Sequence, residues 1–369
     1  MPATRVNVSI PGEAPYDVRI GAAVLGDLGA DLARAGVAPP RRVLVVTDGN
    51  VEPLYLGAAT ESLTAAGFAV DSVTVPAGEG SKSLAVAGEL WEAMAQLGLG
   101  RDCAVVALGG GVVGDLAGFV GSTYMRGVTV AQAPTTLLAM VDSSVGGKTG
   151  VNLEAGKNLV GTFNQPAYVG ACTSTLATLP EREWACGCAE VAKSAAIDGD
   201  DFFFWLADHS AALAARDEAA TQEAIARCVV FKAGVVAADK TESHGVRECL
   251  NYGHTLGHAI ESLAGYGTFS HGAAVAEGMR FAARLGQRLV GTPEELVAAQ
   301  DELLDALGCP ALPWRAPAPA LLEAMRRDKK ARGGEVRFVL LRDVGDWVVT
   351  PVEGPVLLEA LADWGDAWA

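Results

Sequence analysis

The chain has 369 residues, half of them hydrophobic and 20% charged, which is ample for a buried core and long enough for two domains. Twenty-eight basic against 44 acidic side chains leave a formal charge of −16. Long-range repulsion then disfavours nucleic acid and anionic membranes as partners, and an anionic small molecule demands locally gathered positive charge.

Met1 leads directly into a polar–apolar alternation, with no signal peptide, and no apolar run approaches the ~20 residues of a membrane helix. The seven cysteines are scattered without framework spacing, and Cys186 and Cys188 form C-x-C, not the C-x-x-C of a redox or zinc motif. A soluble protein of the reducing cytoplasm is expected.

Val6–Ile10 and Asp17–Ile20, split by Pro11-Gly12, predict two short antiparallel strands. An Ala-rich helix precedes the buried strand Arg42–Thr47, which runs into Asp48-Gly49-Asn50. Helix 54–67, strand Ala69–Val75, helix 82–97, strand Cys103–Leu108 and strand Val128–Ala133 follow. Strands spaced by helices of this length argue for a parallel sheet covered on both faces, with a nucleotide expected at the loops after the strands. From about Pro180 the texture turns helical (181–196, 200–238, 250–264, 272–290, 293–307, 317–331), with a small hairpin at Arg337–Leu341 and Trp347–Val349. The expected organisation is a Rossmann-like α/β domain over 1–180 and an all-α domain over 181–369.

Gly109-Gly110-Gly111-Val112-Val113-Gly114 satisfies G-x-G-x-x-G between a predicted strand and a helix, where glycines admit a pyrophosphate to the helix N-terminus. With 44 glycines in the chain the motif alone is weak, and a structural turn is the competing reading. Asp142-Ser-Ser-Val-Gly-Gly-Lys148-Thr149 resembles a phosphate loop, but Asp142 stands where its first glycine belongs, which argues against an ATPase.

Three of only five histidines lie at 254, 258 and 271. His254 and His258 share a helical face, and His271 opens the next helix. Such imidazoles suit a divalent transition metal completed by a carboxylate, either Glu190 or Glu261. The spacing leaves that choice open, and with it which histidine stays free for proton transfer. Arg126, Lys148, Lys157, Lys193, Lys232, Arg247, Lys329 and Lys330 sit in or beside these motifs, as an anion pocket requires. A nucleotide, a metal and a polyanion together suggest oxidation at a metal-bound carbon–oxygen bond.

The strings Pro76–Ser83, Gly109–Gly118, Pro134–Asn152, Gly156–Leu159, Ala189–Lys193, Asn251–Glu261 and Asp328–Leu341, in this order, resemble the 3-dehydroquinate synthase family. The run VDSSVGGKTGVN is highly specific. The resemblance implies zinc or cobalt on Glu190, His254 and His271, with His258 left for proton movement. For NAD it implies Asp48, Asn50, Glu79, Gly80, Ser81, Lys82, Gly110, Gly111, Val112, Val113, Gly114 and Asp115. Thr135, Thr136, Leu138, Asp142, Lys148, Lys157, Thr175, Leu176 and Thr178 would add further cofactor contacts. Asp142, Lys148, Asn158, Lys193, Lys232, Arg247, Asn251, His258, His271 and one of Lys329 or Lys330 would meet substrate. Asp142, Lys148, Lys193, Asn251 and His258 are then the catalytic set, and Arg126 would serve the neighbouring subunit of a homodimer.

The chemistry so implied is that of a phosphate-eliminating carbon–oxygen lyase of aromatic amino-acid (shikimate and chorismate) biosynthesis. NAD transiently oxidises a ring hydroxyl of 3-deoxy-D-arabino-heptulosonate 7-phosphate, phosphate leaves, the ketone is re-reduced, and an aldol closure gives 3-dehydroquinate. Rival readings are an amino-dehydroquinate synthase or other sugar phosphate cyclase, a metal-dependent polyol dehydrogenase, and a non-enzymatic NAD-binding regulator. Arg247 and Lys232, expected at the substrate carboxylate, favour an acid substrate.

Overall fold

The computed structural model describes residues 1–39, 41–265, 267–328 and 336–366. Contacts divide the chain into two compact units, Met1–Leu179 with Thr221–Thr241, and Pro180–Ala220 with Glu242–Ala369. The division is not a single cut near residue 180. Thr221–Thr241 belongs with the first unit, where Lys232 donates to Asp142 and Gln222 to Pro2 and Thr4. No local composition marks such a return.

The first unit is built on a seven-stranded sheet in the order β1-β2-β9-β6-β5-β3-β4. The strands are β1 (Thr4–Val8), β2 (Tyr16–Gly21), β3 (Arg42–Asp48), β4 (Ala69–Val75), β5 (Ala104–Gly109), β6 (Thr129–Pro134) and β9 (Tyr168–Cys172). All neighbours are parallel except the edge pair β1–β2. The period-two rule decides which side chains go where. Val43, Val45, Ala104 and Val106 pack on one face with α1 (Leu28–Arg34) and α2 (Gly57–Ala65). Leu44, Val46, Val105 and Ala107 pack on the other with α3 (Leu84–Gln96) and α4 (Gly111–Thr123). The chain leaves β3 toward one neighbour, β4, and re-enters on its other side as β5. The carboxyl ends of β3 and β5 therefore flank a topological switch point, where open α/β sheets bind ligands.

A hairpin that the sequence reading leaves as a glycine loop, β7 (Lys148–Leu153) with β8 (Gly156–Phe163), also belongs to this unit. Gly150 and Gly161 face each other in its register, and a Cβ at Gly150 would lie 2.7 Å from the Val160 carbonyl oxygen. Glycine at that crossing hides the apolar alternation by which a strand is recognised.

The predicted helix 200–238 is two helices, α6 (Asp200–Ala214) and α7 (Glu218–Ala238). Arg216 takes the left-handed conformation (φ 59°) where a glycine normally ends a helix, and Asp217 caps the next by accepting from Ala220 N at 2.9 Å. Neither a glycine nor a proline announces the break. Most of α7 belongs to the first unit; besides α6, the second unit holds α5 (Glu181–Asp198), α8 (His254–Ala264), α9 (His271–Leu289), α10 (Glu294–Ala306), α11 (Ala318–Asp328), hairpin β10 (Arg337–Asp343)–β11 (Asp346–Pro351) and α12 (Gly354–Asp366). The last helix has no counterpart in the sequence reading. None of the described helices is long and apolar enough to cross a membrane.

Three of these helices meet backbone to backbone. A Cβ at Gly278 of α9 would overlap the carbonyl oxygen of Gly253, which leads α8, and one at Gly253 would lie 2.6 Å from Val275 O. Gly257 lies against Ala274 and Val275, and Gly272 against the backbone of Cys186 in α5. Gly278→Ala is therefore expected to lower stability by about 1–3 kcal/mol or more, by overpacking. Gly88→Ala in α3, where a Cβ meets open space, is expected to be neutral or to stabilise by about 0.5–1 kcal/mol. Chemical denaturation of the two variants checks the contrast; equal behaviour would show that the α8–α9 approach tolerates a side chain.

Candidate metal centre and nucleotide cradle

The close approach of α5, α8 and α9 brings Glu190, His254 and His271 together, with one ligand atom from each within 4.8 Å of the others. The Glu190 Oε1 atom lies 3.7 Å from His254 Nε2 and 3.6 Å from His271 Nε2. These separations are too long for hydrogen bonds and near the ~3.4 Å that three ligands about 2.1 Å from a tetrahedral ion would show. Glu190 is fully buried, and Oε1 has no hydrogen-bond partner. An orphaned buried carboxylate oxygen facing two imidazole nitrogens fits a divalent metal. The other oxygen is 2.5 Å from the buried Lys193 ammonium.

Both outer imidazole nitrogens are engaged. His254 Nδ1 is 3.1 Å from Tyr252 O, and His271 Nδ1 is 3.0 Å from Glu261 Oε2. Each bond places the proton on Nδ1 and leaves the Nε2 lone pair toward Glu190. Tyr252 itself is fully buried, its hydroxyl donating to Gln300 at 2.6 Å. Burial first, then Lys193 and the neighbouring His271 and His258, holds His254 neutral, well below the usual imidazole range. For His271 burial also acts downward, but the Glu261 hydrogen bond and the charges of Glu190 and Glu261 outweigh it and raise the pKa.

His258, Glu261 and His271 form a second group at ligand spacing, but the Nδ1 of His271 there already faces Glu261 as a hydrogen-bond partner. His258 is half-buried, its ring 5.4 Å from that of His254. Arg247 is buried and Asn251 half-buried in the turn leading to α8.

In the first unit, Gly110 opens α4 in extended conformation, and among the described residues no side chain caps that helix. Its first N–H groups suit a pyrophosphate. A Cβ at Gly110 would press on Thr136 and one at Gly111 on Ser143, at 3.1 Å each. The later glycines do different work: Gly114 and Gly121 pack against Gln132 and Val130 of β6, and Gly118 against Thr149 of β7. Val113 is buried in the core, so only its backbone is available to a ligand.

Asp48 closes an Asx turn after β3 by accepting from Asn50 N at 2.8 Å and Val51 N at 3.2 Å. Thr175 and Thr178 are tied by Tyr55, whose hydroxyl is 3.0 Å from Thr175 O and 2.6 Å from Thr178 Oγ1. Leu176 is buried beside them, and Thr135 is buried with its hydroxyl unpartnered, whereas Leu138 is half-buried.

Lys82, itself buried beside Ser81, spans Asp115 and Asn158 at 2.5 Å each. Burial raises the Asp115 carboxyl above the ordinary range, against the opposing pull of Lys82. Asn158 has a left-handed backbone (φ 58°), and its N–H donates to Asn152, whose amide donates to Glu79 at 2.7 Å. Sequence reasoning missed Asn152, Tyr55 and Tyr252 as supports, although Asn152 ends the quoted glycine-rich motif.

Lys232 donates to the Asp142 side chain and carbonyl, at 2.6 Å each. Asn50, Gly80 and Lys148 are exposed and Lys157 is half-buried. Arg126 stands exposed on a turn where Met125, Arg126 and Gly127 all have positive φ. Lys329 and Lys330 lie outside the described residues.

Sequence profiles described as 3-dehydroquinate synthase N-terminal and C-terminal match residues 72–186 and 187–331. A 3-dehydroquinate synthase of Acidithiobacillus ferrooxidans is 46% identical over 96% of this chain and 98% of its own. One of Halorhodospira halophila is 49% identical over 95% and 96%. Among solved structures, 2-deoxy-scyllo-inosose synthase complexed with carbaglucose-6-phosphate, NAD+ and Co2+ superposes with TM-score 0.87 at 28% identity, covering 98% of this chain and 99% of that one. The fold is that of the sugar phosphate cyclases. Within that class, the chain belongs to the 3-dehydroquinate synthase family.

Lys82→Met is expected to cost about 1–3 kcal/mol, because the half-buried Asp115 would lose its cation. Adding Asp115→Asn should recover much of that loss in urea unfolding. A single variant as stable as the parent would show the pair to be solvent-screened.

Proposed function

We propose that the protein converts 3-deoxy-D-arabino-heptulosonate 7-phosphate into 3-dehydroquinate and inorganic phosphate, with NAD and a divalent metal as resident cofactors. The observation that carries the reading is the orphaned Glu190 carboxylate facing two Nε2 atoms whose outer nitrogens are both hydrogen-bonded. Family membership supplies the reaction, and the related cyclase complexed with NAD+ and Co2+ supports the cofactors.

Glu190, His254 and His271 would hold zinc or cobalt, which when bound supplies Lewis-acid polarisation of a carbon–oxygen bond. The cradle at Gly110–Asp115, with Asp48, Glu79–Lys82, Thr135, Thr136 and the 175–178 turn, would hold NAD, which takes up a hydride and later returns it. His258, half-buried beside His254, would move the proton of the oxidised hydroxyl. Lys193 and Asn251 would orient the substrate oxygens, and Arg247 and Lys232 would bind its carboxylate. Lys232 also holds Asp142 in place for its part beside Lys148. Asn158 would meet the phosphate, and Arg126, exposed on its turn, would act in the partner site of a homodimer. The seven cysteines, all buried and free of disulfides, fit a reducing, cytoplasmic setting.

Purified protein supplied with NAD+ and Zn2+ or Co2+ should release phosphate and form 3-dehydroquinate in equal amounts, with no net NADH. NADH accumulation without phosphate release would sink the proposal. His254→Ala should lose metal and activity together, whereas His258→Ala should keep its metal and lose turnover by about 10²-fold or more.

A further inference from the structure

We propose that Glu261 is the positioning residue that makes His271 a metal ligand: its carboxylate holds the His271 proton on Nδ1 and so keeps Nε2 available to the ion. The inference rests on the reading of Glu190, His254 and His271 as the metal set and deepens it.

Glu261 lies in the second half of α8, seven residues after His254, so two helical turns carry it past the ligand on the same helix. It is buried, and its Oε2 accepts from His271 Nδ1 at 3.0 Å. A neutral imidazole carries one N–H and one lone pair. A carboxylate only accepts, so the proton sits on the nitrogen facing Glu261. The lone pair then sits on Nε2, 3.6 Å from the orphaned Glu190 oxygen. Removing the acceptor lets the ring present N–H in place of lone pair to the ion, or rotate away from it.

His254 has the corresponding support from a neutral group, the Tyr252 carbonyl at 3.1 Å. The two imidazoles are thus supported unequally. A carboxylate acceptor raises the basicity of its ligand, and outer acceptors of this kind are worth about 10–100-fold in metal affinity. Glu261 could compete for the role of ligand itself, because it, His258 and His271 also stand within ligand distance of one another. That arrangement would need His271 to give up the Nδ1 proton that bonds Glu261, and it would leave the Glu190 oxygen unpartnered. The observed hydrogen bond places Glu261 behind His271.

The test is titration of metal-stripped full-length protein with Co2+ and with Zn2+ against a competing chelator, following the visible absorption of cobalt. Glu190→Gln should lose tight binding. Glu261→Ala should bind about 10–100-fold more weakly, and the isosteric Glu261→Gln, which keeps an accepting oxygen, should bind more tightly than Glu261→Ala. The cobalt spectrum at saturation should keep the parent's shape in both, since the ligands are unchanged.

Undiminished affinity in Glu261→Ala would overturn the inference, as it would in Glu261→Met, which has no accepting oxygen, should the alanine variant fail to fold. So would a Glu261→Gln protein that loses binding as completely as Glu190→Gln, with an altered cobalt spectrum, because Glu261 would then be a ligand. A parent protein that binds neither ion sinks the metal reading itself, and the inference with it.

Discussion

The convergence of Glu190, His254 and His271 depends on how closely three helix backbones can approach. Packed helices usually keep their axes 8–10 Å apart because side chains fill the seam. Here Gly253, Gly257, Gly272 and Gly278 remove those side chains at the contacts of α8 with α9 and of α9 with α5. The rings of His254 and His271 consequently converge to 5.2 Å between centroids, and both reach the same Glu190 oxygen. The glycines alternate with the chemistry along each helix: Gly253 precedes His254, Gly257 precedes His258, and Gly272 follows His271. Glycine and histidine are adjacent because the closest point of two helices is also where side chains from both can converge.

The first unit solves a similar problem with a different distribution of glycines. Gly110 and Gly111 leave the mouth of α4 open at the switch point, while Gly114, Gly118 and Gly121 let the same helix lie close on β6 and β7. That close packing brings Asp115 within reach of Lys82, and Lys82 in turn holds Asn158 in its left-handed conformation. An asparagine tolerates that conformation better than most residues, and two hydrogen bonds fix it there. The first turn of α4 and Asn158 are therefore parts of one polar network, joined through Lys82, with Asn152 linking it to Glu79.

Much of this was legible in the sequence, for identifiable reasons. Strands such as Arg42–Asp48 and Ala104–Gly109 are apolar on both faces, as buried parallel strands must be, and they stand out against their flanking loops. The histidines stood out by scarcity. Spacing pairs His254 with His258, yet in both converging groups the imidazole partner is His271, brought to them by an interhelical contact that no periodicity encodes. The choice between Glu190 and Glu261 was open for the same reason. The structure gives both a place, one before the imidazole of His271 and one behind it. Elements were missed where local signals were weak: glycines masked β7 and β8, and Arg216 ended a helix without glycine or proline. The return of Thr221–Thr241 to the first unit is a long-range event with no local signature.

The arrangement of charge explains how so acidic a chain can hold lysines in its interior. Lys82, Lys193 and Lys232 are all buried, and an isolated buried lysine tends to lose its proton. Each instead lies within 2.6 Å of a carboxylate, Asp115, Glu190 or Asp142 respectively. Those pairs set an anion beside each ammonium group in surroundings where solvent screens the attraction little. The net charge of −16 describes the surface that the protein offers at a distance. Within each unit the balance is local: each of these buried lysines shares its charge with an acidic neighbour of the same unit. An anion that reached any one of these lysines would redistribute hydrogen bonds around a charge that folding has already desolvated. The desolvation of those lysines is met when the chain folds, so it does not weigh against substrate binding.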